Sequence, residues 1–256
     1  MAEKLARRAY YSPQEQRLTV VSIDRPPFTG IYSVRDAALY FRATTPPSDA
    51  PLSLWKRRKS RFTKPSSRHL YSWIRHGLEW GDLVHADRRE LILNFEDLVR
   101  LRLIVILRSR GLSYKAIQAA EREARDLTGS PQPFVTEALW TAGSSVFLEL
   151  ANLLIRLSPG KQLALDFLRE FLSPVNHGLV FDHGVADVWR PSEGVVIDPE
   201  VQFGAPCIEG TRIETEVIWS FRQAGTEPEE LARLYGISLD AVKQALAWER
   251  DLAAAA

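Results

Sequence analysis

The most regular alternation of apolar and polar positions lies near the end of the chain, between residues 204 and 250. Val217, Ile218 and Phe221 fall on one side of a helix predicted over Thr215–Gln223, which ends at Gly225 and offers these three residues to a small core. Thr226, Glu227, Pro228 and Glu229 then read as a helix start. Thr226 is the expected N-cap, Glu229 reaches back three residues later, and Pro228 sits in the first turn, where its missing N–H costs nothing. Gly236 stops that helix, and Ser238 caps the next, whose apolar positions Leu239, Val242 and Leu246 form one stripe. Ala232, Gly236 and Val242 thereby take the small, turn and apolar positions of a helix-turn-helix.

Earlier in the chain the same patterns recur with different partners. Residues 1–29 show no steady period, although 18–23 read as an edge strand within a partly ordered arm. Ser33 and Asp36 are spaced as a capping box ahead of a helix that offers Ala38, Leu39 and Phe41 for burial. Ser67 is the expected cap of a helix over 68–76, ended by Gly77; Leu70, Trp73 and Ile74 lie on its inner face and Arg68, Ser72 and Arg75 on the opposite stripe. Residues 83–85 and 91–93 read as a hairpin about a polar turn at 86–90. Asn94 and Asp97 then start a long apolar helix over 95–110, stopped by Gly111, and Ser113 caps another that runs to about Leu127.

From 128 to 191 the pattern predicts a small α+β domain. Strands are expected over 134–140, 146–150, 179–182 and 185–189, and an amphipathic helix over 162–172. The expected fold class is therefore α+β in three parts: 30–127 with an insertion at 43–66, a linking domain at 128–191, and a three-helix, helix-turn-helix-like domain at 192–256.

Charge changes this picture more than composition does. The 256 residues carry a net charge of only +1, yet residues 1–126 hold 24 Lys and Arg against 14 Asp and Glu, a balance of +10, and the remainder hold 9 against 18, a balance of −9. One half is suited to a polyanion and the other is not. The sharpest basic feature is Lys56, Arg57, Arg58, Lys59, Arg61, Lys64 and Arg68, extended by Arg75, with no acidic residue between Asp49 and Glu79. Trp55, Phe62 and Tyr71 are interleaved with these cations, a pattern suited to phosphate contact. The single cysteine, Cys207, excludes an internal disulfide and any cysteine-rich metal site. No apolar stretch approaches the roughly 18–20 residues needed to span a bilayer, so no membrane partner is expected and the cytoplasm is the expected location.

Helix, helix, hairpin, helix, helix, together with residues 32–38, 71–74 and 111–117, resembles the MerR-type winged helix-turn-helix over roughly 30–127. That resemblance implies double-stranded DNA as a partner, with Arg68, Tyr71, Ser72 and Arg75 on the reading helix and Arg88 and Arg89 near the wing tip. One departure stands out: MerR-type domains join their first two helices by a short turn, whereas here residues 43–66 intervene, with Pro46, Pro47 and Pro51 among them.

Ile197-Asp198-Pro199, then Gly204, Pro206 and Ile208, then Gly210-Thr211-Arg212-Ile213 and three helices, resembles the small domain of unknown function found in many VapB-type antitoxins. In that family it accompanies toxins with a PIN-like nuclease fold, so the resemblance implies such a ribonuclease as partner. From Glu209 to Asp251 the module holds 5 basic residues against 9 acidic ones, a balance of −4 that disfavours phosphate contact. It is therefore expected to bind protein, with Arg212, Trp219, Arg222 and Lys243 as candidate toxin contacts. Arg212 has two readings: its guanidinium fixes the turn through backbone carbonyls, or it reaches a partner's carboxylates as a bidentate, permanently charged donor.

No phosphate-binding glycine loop, metalloprotease His pair or nucleophile elbow occurs, so no catalytic residue, cofactor or metal is expected. His177 and His183 near Asp182 and Asp187 read as hydrogen-bonded surface groups rather than ligands, and Trp140, Phe147 and Trp189 as core rather than an effector pocket. The sequence leads to an antitoxin and transcriptional autorepressor, dimeric through operator symmetry or assembled with its toxin. The alternative is a MerR-like regulator that senses a small ligand and has no toxin.

Overall fold

In the computed structural model, which describes residues 7–11, 18–22, 30–44, 65–76, 84–87, 90–109, 112–140, 152–153 and 178–256, the capping box predicted at Ser33 is formed. The Ser33 hydroxyl donates to Asp36 Oδ2 at 2.7 Å and accepts from the Asp36 N–H at 3.1 Å, while the Ser33 N–H donates to the same carboxylate at 3.3 Å. These bonds fix the turn from β3 (Tyr32–Ser33) into α1 (Val34–Thr44), which buries Val34, Ala37, Ala38 and Phe41. Ahead of it, β1 (Arg7–Tyr11) and β2 (Leu18–Ser22) pair antiparallel.

Helix α2 (Ser67–His76) begins one residue earlier than expected. Its cap is Ser66, whose hydroxyl accepts from the His69 N–H at 3.4 Å and whose carbonyl accepts from His69 and Leu70. The Ser-Ser pair makes the two positions equivalent by residue type, and geometry selects the first. The hairpin is β4 (Val84–Asp87) and β5 (Glu90–Leu93), and β3 adds to its other side in the order β3-β5-β4. Tyr32 faces Leu93 and Val84 faces Ile92 in register. Helix α3 (Phe95–Ser109) opens with reciprocal bonds, Asn94 Oδ1 accepting from the Asp97 N–H at 2.8 Å and Asp97 Oδ2 from the Asn94 N–H at 3.3 Å. Helix α4 (Tyr114–Thr128) is capped by Ser113 and closed by Gly129 in the left-handed region.

Arg100 of α3 and Glu121 of α4 lock these helices with two parallel bonds of 2.6 and 2.9 Å, and their side chains are only 7% and 5% exposed. A pair this deep offsets its own desolvation only when both partners are present.

Residues 134–140 depart from the expected strand. They form a 3-10 turn (Pro133–Val135) and a short helix α5 (Glu137–Trp140). The Thr136 hydroxyl donates to the Pro133 carbonyl at 2.7 Å, and Trp140 Nε1 donates to the Phe134 carbonyl at 2.8 Å. These local bonds compete successfully with a sheet ladder, in which Pro133 has no N–H to offer.

A four-stranded antiparallel sheet follows: β6 (Leu179–Asp182), β7 (Val185–Ser192), β8 (Val195–Ile197) and β9 (Pro206–Ile208), in that order. The boundary expected between 191 and 192 falls at the end of β7, whose partner β8 lies beyond it. Leu179, Val185, Ala186, Trp189 and Ile197 bury into the same apolar cluster as α1 to α4. Trp189 is fully buried, 6.4 Å from the Phe41 ring and 4.3 Å beneath the Arg102 guanidinium. Loss of water at that site lowers the Arg102 pKa to about 9.

The last three helices are α6 (Thr215–Gln223), α7 (Pro228–Tyr235) and α8 (Leu239–Ala255). The N-cap of α7 is Glu227 rather than Thr226, because a residue before proline is held in extended backbone, here φ −77 and ψ 149. Gly236 in the left-handed region and Ser238, accepting from the Ala241 N–H, make the turn into α8. Ile208, Ile218, Leu231, Val242, Ala245 and Leu246 form a second, smaller core. Phe221 was expected in it; the ring is instead 40% exposed and meets Tyr235 edge-on at 6.1 Å. The fold is α+β, and among the described residues no helix is long and apolar enough to cross a membrane.

Candidate functional site

Two cation-bearing surfaces emerge from this frame. The first is the outer stripe of α2, where Arg68, Ser72 and Arg75 are exposed and Tyr71 is half-buried, while Leu70, Trp73 and Ile74 bury into the core. Trp73 fixes the helix: Tyr114 meets it edge-on at 5.9 Å and the His69 ring stacks at 6.4 Å. Behind Tyr114, the Arg108 guanidinium lies 4.2 Å over the ring and donates to the Leu112 carbonyl. Arg68 and Arg75, seven residues apart, stand about 10 Å from each other along the axis, with Ser72 between them. Such a stripe can place guanidinium groups on phosphates and base edges, with a hydroxyl between them. Lys56, Arg57, Arg58, Lys59, Arg61, Lys64, Arg88 and Arg89, with Trp55 and Phe62, lie outside the described residues.

The second surface is the turn between β9 and α6. Thr211 braces it, its hydroxyl donating to the Ile208 carbonyl at 2.8 Å and accepting from the Ile213 N–H at 3.1 Å. Ile208 N–H donates to the Ile213 carbonyl, and Gln202 Nε2 donates to the Arg212 carbonyl at 3.0 Å. The bracing role proposed for the Arg212 guanidinium is thus filled by Thr211 and Gln202. Arg212 is exposed, and its side chain donates no hydrogen bond to any described residue. Gly210, with φ 75, makes the bend.

The other candidates differ in availability. Arg222 Nη1 is engaged in the α6–α7 turn, 3.4 Å from the Thr226 carbonyl and 3.3 Å from Glu227 Oε1. Trp219 is half-buried against the second core, and Lys243 is exposed on α8. Cys207 is buried, with its thiol pushed up to about 11 by burial first and by Glu214 and Asp198 second, so it is no nucleophile at neutral pH.

Sequence reasoning missed the seam between the halves. Ile31 N–H donates to the Phe203 carbonyl at 2.9 Å, and Tyr40 of α1 meets Trp248 of α8 at 6.0 Å. Thr215 Oγ1 donates to buried Glu249, whose carboxyl is raised by burial and held down in part by that bond. Burial likewise raises Tyr32 and Tyr40. Gln202 (φ 46), Phe203 (φ 53) and Gly204 (φ 87) are all left-handed, at roughly 1–2 kcal/mol for each non-glycine residue. A Cβ on Gly204 would stand 2.0 Å from the Tyr32 hydroxyl, so only glycine closes the seam. The sole sequence signal was the glycine after Phe203.

Asp182 and His183 are exposed at the β6–β7 turn with 3.7 Å between them, and among the described residues no group of three or more His, Cys, Asp or Glu gathers to hold a metal. Trp140 and Trp189 are core; Phe147 and His177 lie outside the described residues.

Fold and surfaces together define an α+β chain with an exposed arginine stripe in its basic half and an exposed arginine turn in its acidic half. Residues 195–248 match the family model described as "Protein of unknown function (DUF433)". The chain is similar in fold to the crystal structure of Rv2018 from Mycobacterium tuberculosis, with a TM-score of 0.58 and 18% sequence identity, over 84% of this chain and 96% of that one. No curated protein sequence matches it.

Proposed function

We propose that the chain is a cytoplasmic antitoxin and transcriptional autorepressor, which binds operator DNA through a MerR-like winged helix-turn-helix at 30–127 and holds a PIN-like ribonuclease inactive through 192–256. One observation carries the reading. The two exposed cation sets sit on opposite charge backgrounds, α2 within the half at +10 and Arg212 within the half at −9. The first suits a polyanion; the second suits a protein partner, because cations outnumbered by carboxylates do not recruit nucleic acid. Operator symmetry calls for a homodimer or a toxin-bound hetero-oligomer.

The test pairs two assays on the full chain. A DNA fragment from its own promoter should shift on a gel, and RNA cleavage by the product of the adjacent reading frame should cease when the chain is added. A chain that shifts DNA while cleavage continues removes the antitoxin reading and leaves a MerR-like regulator without a toxin.

A further inference from the structure

Phe203 is held in a left-handed backbone that a bulky residue adopts only under strain, yet 75% of it is exposed, so burial returns nothing for that strain. Beside it Ile31, 52% exposed, donates its N–H to the Phe203 carbonyl, so two exposed apolar residues stand on backbone segments bonded to each other. On the other flank Gln202 Nε2 holds the Arg212 carbonyl. An apolar pair and a solvent-facing guanidinium thus stand on adjoining, mutually bonded turns, the combination of aromatic and arginine that anchors protein interfaces.

Charge selects the occupant. The helical unit that carries Arg212 holds 5 basic against 9 acidic residues from Glu209 to Asp251, a balance that disfavours a nucleic acid. A second copy docked about a two-fold axis would set this net acidic unit against itself. A protein that is basic around a central carboxylate cluster fits: its rim meets the acidic helices and its carboxylates meet Arg212. Such a partner needs an apolar recess beside that cluster to take Phe203. A metal-dependent ribonuclease has this layout, because its rim must attract phosphates while its centre holds a divalent cation.

We infer that Phe203, seconded by Ile31, is the apolar anchor for such a ribonuclease, next to the carboxylates that Arg212 reaches. The inference rests on the antitoxin reading and deepens it. The probe is the purified PIN-like ribonuclease encoded in the adjacent reading frame, titrated by calorimetry against the full chain. Wild type that neither binds nor inhibits it overturns the antitoxin reading, and the anchor with it. Where wild type binds, Phe203→Gly and Phe203→Asn, which both accept the left-handed backbone, should keep Tm within a few degrees and weaken affinity by about 30-fold. Ile31→Ser should weaken it several-fold, whereas Leu234→Ser, at an exposed apolar site on α7, should leave it within about two-fold. Both Phe203 variants binding as tightly as wild type refutes the anchor and leaves the antitoxin reading intact. Light scattering on the same samples tests the other occupant: a wild-type dimer that becomes a monomer in both Phe203 variants assigns the patch to self-association and overturns the inference.

Discussion

The rings of Tyr40 and Trp248 lie 6.0 Å apart with their planes inclined at 40°, which joins the first helix after the amino-terminal arm to the last helix of the chain. The first helix packs in the large core and the last in the small one, so this contact ties the small core to the large one. Trp248→Ala removes one of the largest fully buried side chains and should cost about 3–5 kcal/mol in denaturant unfolding. A loss below about 1 kcal/mol would mean that the seam contributes little to stability.

On the antitoxin reading, Arg68→Ala and Arg75→Ala should each weaken DNA binding without altering Tm, because both side chains are exposed. If each protomer of a dimer neutralises about four phosphates, log K against log salt should have a slope of roughly −7. Arg75→Ala should also relax sequence preference, whereas alanine at Arg57, Arg58 and Lys59 together should weaken all sequences alike. A flat salt dependence would place the basic half away from the DNA.

Arg212→Ala should leave stability within about 0.5 kcal/mol of wild type, since the guanidinium bonds nothing described, and should abolish inhibition of the ribonuclease. Thr211→Val is the contrasting variant: it removes both bonds of the Thr211 hydroxyl to the turn and should lower Tm. Circular dichroism and RNA cleavage on the same samples read both effects. An Arg212→Ala chain that folds and still inhibits would exclude this arginine as the inserted cation.

Glu249 sets a pH dependence whose sign is fixed by burial. Its carboxyl is raised in the folded state, so the folded chain holds the proton more tightly than the unfolded one. Stability is therefore undiminished below the ordinary glutamate range and falls as pH rises through the folded pKa. Glu249→Gln keeps an acceptor for the Thr215 hydroxyl and carries no charge, so its stability relative to wild type should increase from pH 4 to pH 7. Parallel denaturation curves at the two pH values, with no change in the difference, would show that the carboxylate is not penalised.

Legibility tracked the range of the interactions. The caps at Ser33, Asn94, Ser113 and Ser238 and the two faces of α2 were readable because each depends on residues three or four apart. The α7 cap moved to Glu227 through the neighbour effect of Pro228, also local but outweighed in the sequence by the Thr226–Glu229 spacing. Residues 134–140 looked like a strand because Phe134, Val135 and Trp140 are apolar at loose alternation, and the Thr136 hydroxyl decided otherwise. The seam was not readable: Ile31 with Phe203, Tyr40 with Trp248 and Tyr32 with Gly204 each join residues with no periodic relation. Of the candidate surfaces, the exposed stripe of α2 was readable from charge and spacing, whereas Arg212 was singled out by the resemblance that its Gly-Thr-Arg-Ile turn carries. Phe203 did not, because its meaning lies in a backbone angle.

The burial of Trp189 among α1 and α3 has a bearing on synthesis. As the chain leaves the ribosome, the amino-terminal helices and Trp140 emerge while the place for Trp189 is still unfilled. About 50 further residues must be added before β7 arrives, an interval of roughly 3–10 s at ordinary translation rates. During that interval Phe41 and Arg102 are without their contacts to the Trp189 ring. Completion of the amino-terminal core is thus deferred until the carboxyl-terminal sheet begins to appear, and a chain cut short before residue 189 is left with an open apolar face that invites aggregation and proteolysis.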